Sequence, residues 1–142
     1  MDYVVRRVVS DLDSTGYVEI GPGKYAGKHW QDGFVFVWED AFGAAEGILA
    51  KHFPAYDHFD MNDVPRAVGL AVAADWRDVA ERLPRMTVDE AHDALNLEAT
   101  FSVRIDREVE EHGAEIAGML RELADALEQF YAEGEWVCVL GL

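Results

Sequence analysis

The chain has 142 residues, with 12 Lys and Arg against 28 Asp and Glu, a formal net charge of −16. Half of its residues are apolar, enough for the core of one domain and too many for global disorder. The acidity opposes non-specific binding to nucleic acid or anionic lipid, no apolar run nears the roughly 18 residues of a membrane span, and the lone Cys138 excludes a disulfide framework or a multi-cysteine zinc site.

In chain order, the Val-rich Tyr3–Leu12 predicts a strand that ends at the turn cluster Asp13-Ser14-Thr15-Gly16. Tyr17–Ile20 predicts a second strand, hairpinned to the first. Gly21-Pro22-Gly23 breaks the chain, and Lys24–Asp32 reads as loop. Phe34–Trp38 is a continuous apolar run of strand length, as expected of a strand buried on both faces. Asp40 is placed to cap a helix over 41–53, with Ala41, Ala45, Ile48, Leu49 and His52 at helical spacing, and Pro54 ends it. After a loop over 54–60, Asn62 or Asp63 caps a second helix that buries Val68, Val72, Trp76 and Val79 and stops at Pro84. Thr87 and Glu90 have capping-box spacing for a short helix. Leu97–Asp106 alternates strictly between apolar and polar residues and predicts a strand with one buried face. Glu108–Glu133 predicts one long amphipathic helix, with Gly134 at its C-terminal cap and Trp136–Leu142 as a last buried strand. The expected fold is a single α+β domain. It has a mixed sheet of about five strands, including a parallel pair of 97–106 with 136–142, and helices packed mainly on one face.

Charge is unevenly spread. Residues 1–85 hold 9 basic and 14 acidic side chains, a net of −5, whereas residues 86–142 hold 3 and 14, a net of −11. The outer face of the predicted long helix carries Glu110, Glu111, Glu115, Glu122 and Asp125. Complementary fields speed association with a basic partner and fade with salt, so these residues are candidate contacts for a basic protein. Tyr56 and Phe59, aromatics in a loop, are candidate anchors, because they bury large areas with few rotors.

Catalytic motifs do not assemble. Asp89-Glu90-Ala91-His92 spells a helicase box, but no phosphate-cradling loop ending in Gly-Lys-Ser/Thr accompanies it. Gly21-Pro22-Gly23 with Gly27 lacks dinucleotide-binding spacing. No serine lies in a Gly-x-Ser-x-Gly elbow, and Cys138 sits in an apolar strand where packing is the better reading. No cofactor and no metal site is expected. The alternative to a binding protein is a small enzyme or ligand-binding domain, with a pocket where Trp30, His58 and Asp60 converge. The N-terminal MDYVVRRVVSD lacks the pattern of a signal peptide, so a cytoplasmic location is expected. An exposed sheet edge would offer a route to a homodimer.

Phe53-Pro54-Ala55-Tyr56-Asp57-His58 and Glu135-Trp136-Val137-Cys138-Val139-Leu140-Gly141-Leu142 resemble parts of small bacterial proteins of unknown function. In size and acidity the chain also resembles the immunity proteins of bacterial toxin systems, which bind and neutralise a cognate toxin. That resemblance implies a non-catalytic protein with a basic protein partner. Neither resemblance carries over a functional residue.

Overall fold

The computed structural model describes residues 1–100 and 105–141. The element order is β1 (Tyr17–Pro22), β2 (Val35–Trp38), α1 (Glu39–His52), β3 (Met61–Pro65), α2 (Arg66–Arg82), α3 (Val88–Ala94), α4 (Ile105–Glu111), α5 (Gly113–Glu133) and β4 (Trp136–Leu140). Among the described residues the sheet has four strands in the order β2-β1-β4-β3, and every neighbouring pair is antiparallel. The register sets Val18 opposite Val37, Ile20 opposite both Val35 and Val139, and Val137 opposite Val64.

Opposed residues in an antiparallel ladder share a face, and alternation puts their neighbours on the other. Val18, Ile20, Val35, Val37, Val64, Val137 and Val139 form one face, which packs against the buried sides of the helices. Tyr17, Phe34, Phe36, Cys138 and Leu140 form a smaller core on the opposite face. That face is covered by Leu12, Tyr25 and Trp30 from the flanking loops. The fold is α+β, with helices on one face as expected.

Close approach explains two helical glycines. A Cβ on Gly69 of α2 would lie 2.0 Å from the Tyr131 hydroxyl of α5. The bare backbone lets that phenol donate to the Val64 carbonyl at 2.9 Å, which ties α5 to β3. A Cβ on Gly47 of α1 would lie 2.3 Å from the Asn96 carbonyl oxygen, and Asn96 Nδ2 donates back to Gly47 O at 2.8 Å. Trp76 fills the space between α1 and α2, and its indole N–H donates to Ala45 O at 3.0 Å. The Thr87–Glu90 capping box forms in both directions at the start of α3.

Several sequence expectations give way. Tyr3–Leu12 is not a strand: it touches the sheet through one antiparallel bridge, Arg6 to Phe36, and then makes a 3-10 turn at Val9–Asp11. Tyr3 instead turns toward α4, where its hydroxyl donates to Glu108 Oε2 at 2.9 Å. The hairpin partner of β1 is therefore β2, and the sheet has four strands where about five were expected. Met61–Pro65 is a strand, not the start of a helix, because β4 offers it a complete ladder partner. Within Leu97–Asp106, Leu97–Ala99 is a 3-10 turn and Ile105 begins α4; residues 101–104 lie outside the described residues. The expected parallel pair is thus replaced by β4 pairing antiparallel to both β1 and β3. The expected long helix is broken at His112, whose ψ of 32° departs from helical geometry, into α4 and α5. Gly134 caps α5 in extended geometry.

Candidate functional site

All five predicted carboxylates are exposed, but the fold distributes them. Asp125 is engaged: Arg77 of α2 reaches across to it and donates to both Glu128 carboxylate oxygens at 2.7–2.8 Å. This pairing holds the Glu128 carboxyl below its usual range. Glu110 faces α3, bordering a crevice of about 180 Å³ with Leu83 and Thr87. Glu111 and Glu115 flank His112 at 3.9 and 3.7 Å. Glu115 and Glu122 lie together on an open cleft of about 420 Å³ between the segment Met1–Val5 and α5.

The sequence accounts for that cleft. Tyr3 and Val5 alternate inward while Val4, 55% exposed, points out. The Tyr3–Glu108 hydrogen bond anchors the segment at one end and the Arg6–Phe36 bridge at the other. On α5, Gly118, Met119 and Glu122 lie three, four and seven positions after Glu115 and so line one side with it. The N-terminal side is apolar except for Asp2, which pairs with Arg6, and the α5 rim is acidic.

The predicted aromatic anchors part ways. Phe59 is 59% exposed and makes an edge contact with the His58 ring at 4.9 Å. Tyr56 is half-buried against the main core, and its hydroxyl donates to Glu46 Oε2 at 2.9 Å. Burial first, and the nearby Glu46 second, push its phenol well above the ordinary value.

His58 is the centre of a polar cluster. Its Nδ1 lies 2.7 Å from Glu46 Oε2 and its Nε2 lies 2.7 Å from Glu39 Oε1. Both ring nitrogens donate only in the imidazolium, so this geometry selects charged His58. Burial is the largest single influence and lowers its pKa, but the bonds to Glu39 and Glu46 together outweigh it and raise the pKa above 6.5. The two carboxylates address opposite ring nitrogens and do not converge on one point, and among the described residues no three His, Cys, Asp or Glu side chains form a group suited to a metal. A cavity of about 310 Å³ borders Glu46, Tyr56, His58 and Thr100. Trp30 and Asp60 are not among its lining residues: Trp30 stacks on Phe36 at 6.0 Å, and Asp60 accepts from the Met61 N–H at 2.8 Å.

A second buried carboxylate, Glu19 of β1, lies on the smaller-core face between Phe36 and Leu140. It accepts from the Trp30 N–H and from His29 Nδ1, each at 2.6 Å. Tyr25 O–H reaches His29 Nε2 at 3.2 Å, and Tyr25 N–H donates to Asp63 Oδ1 at 2.8 Å. These bonds hold Trp30 at a φ of 57°, a left-handed conformation that costs a bulky residue on the order of 1 kcal/mol or more. Burial pushes the Cys138 thiol on the same face up to about 11, so it packs as a small apolar group.

Sequence reasoning missed Glu19 and Glu46. In their segments both look like solvent-facing acids, and the histidine that meets each lies 10 or 12 residues further on, at a spacing that carries no local pattern. No described helix is long and apolar enough to cross a membrane. The chain matches no protein-family model, and no curated protein and no solved structure is significantly similar to it.

Proposed function

We propose that this protein is a non-catalytic binding protein for a basic protein partner, as an immunity-type inhibitor would be, and that the partner meets the surface of α4 and α5. The observation that carries this reading is the exposure of Glu110, Glu111, Glu115 and Glu122 along those two helices. The field they set up steers a cationic surface toward the helices. Asp125 contributes less, because Arg77 pairs with it and with Glu128 and offsets one of their two charges. An experiment compares two immobilised baits, the natural chain and Glu111→Lys/Glu115→Lys, in lysate of the source organism with elution by a salt gradient. A basic protein held by the natural bait, released by salt and lost from the variant supports the reading. Identical retention by both baits, insensitive to salt, overturns it.

A further inference from the structure

Gly118 stands in the interior of α5, where glycine costs roughly 0.5–1 kcal/mol relative to alanine. Packing explains the same cost at Gly47 and Gly69, where a Cβ would collide with a neighbour at 2.3 and 2.0 Å. It does not explain Gly118, where a Cβ would meet nothing within 4 Å. Gly118 lines the cleft between Met1–Val5 and α5, so its missing side chain keeps that cleft open. The cleft has the nearly buried Tyr3, Val5 and Met119 at its floor, Met1 and Val4 as exposed apolar residues, and Asp2, Glu115 and Glu122 as charged rim. The two glutamates are seven positions apart, which puts them roughly 10 Å apart along the helix axis. Glu122 has no ion-pair partner among the described residues, and the His112 ring lies 3.7 Å from Glu115.

An apolar trough with carboxylates on its rim is complementary to a side chain that has an apolar stem and a cationic head. Of the two such side chains, arginine fits better. Its guanidinium is more weakly hydrated than an ammonium, and its planar fork matches a carboxylate with two parallel hydrogen bonds. We infer that this cleft is the anchor pocket for an arginine side chain on an extended basic segment of the partner protein. The inference rests on the acidic-surface reading above but narrows it to one cleft. The stem of the arginine lies against Met119 and Val5, and its head meets the carboxylate of Glu122 or Glu115.

The test uses the whole chain, with hexa-arginine as the probe and hexa-lysine and hexa-glutamine as comparisons, by calorimetry at low salt and by amide chemical-shift mapping. Expected are a preference for hexa-arginine and shifts concentrated at residues 1–5 and 115–122. Gly118→Leu fills the cleft without altering charge and should weaken binding about tenfold or more, with an unchanged or higher melting temperature as the check on folding. Glu122→Gln should weaken it about threefold or more, and Glu81→Gln, at an exposed acid of α2 outside the proposed surface, less than about twofold. Full-affinity binding by Gly118→Leu, with loss in Glu110→Gln/Glu111→Gln, would overturn the cleft and leave the acidic surface standing. Equal affinity for hexa-lysine would overturn the assignment of a guanidinium. Failure of hexa-arginine to bind at millimolar concentration would overturn the pocket outright, while the salt-eluted capture still decides the surface.

Discussion

Glu19 and Glu46 are the two buried acids among the described residues, 3% and 1% exposed, and each is met by a histidine from a following loop. The chemistry is similar and the reach is not. Glu19 ties down the loop between β1 and β2 through the Trp30 N–H and His29, so its bonds order one surface segment. Glu46 sits on the buried side of α1 and holds Tyr56 and a His58 shared with Glu39. The loop carrying those two residues also sets the sheet. The Gly141 N–H donates to Asp60 O at 2.9 Å, and a Cβ on Gly141 would lie 1.8 Å from His58 O. The stability contributed by a buried carboxylate and its hydrogen bonds thus depends on what else the bonded loop holds in place.

Replacing each acid breaks the comparison in a measurable order. Glu46→Ala leaves a buried imidazolium with one carboxylate fewer and a phenol without its acceptor, and should cost about 3–4 kcal/mol in urea unfolding. Glu19→Ala strands one backbone N–H and frees a left-handed Trp30. It should cost about 2 kcal/mol, with faster proteolytic nicking confined to residues 23–33. Comparable nicking across both loops in either variant would show that the two regions are coupled rather than separate.

The smallest effect is in pH. The folded pKa of His58 lies above its ordinary 6.5, so the stability its ion pairs contribute is fully present below pH 6.5 and is lost as pH rises through the folded value. The melting-temperature gap between the natural chain and His58→Gln should therefore be wider at pH 6 than at pH 9. A gap that widened toward alkaline pH would mean that His58 is buried neutral.

Elements governed by contact with one surface were legible before the structure. The stripe Ile116, Leu120, Leu123 and Leu127 requires a helix against a core, and Trp136–Leu140 reads as a buried strand because its residues are apolar on both faces. The candidate site was legible only in part. The exposure of Glu115 and Glu122 follows from their phase on α5, but the cleft whose rim they share depends on Tyr3 and Val5, more than a hundred residues away. His58 stood out in its loop, yet the partners that give it charge lie on a helix whose apolar pattern conceals Glu46.

By itself, then, the sequence determined the acidic excess, the amphipathic helices, the capping box at Thr87 and the α+β composition, because each depends on residues within a few positions of one another. Only the tertiary structure decided that Val-rich Tyr3–Leu12 lies beside the sheet and that Met61–Pro65 joins it. It also decided that helix breaks at His112 and that the predicted acidic face divides into separate surroundings. Strand pairing and charge pairing are agreements between distant segments, such as Tyr3 with Glu108 or Arg77 with Asp125, and no local pattern records which partner will be present.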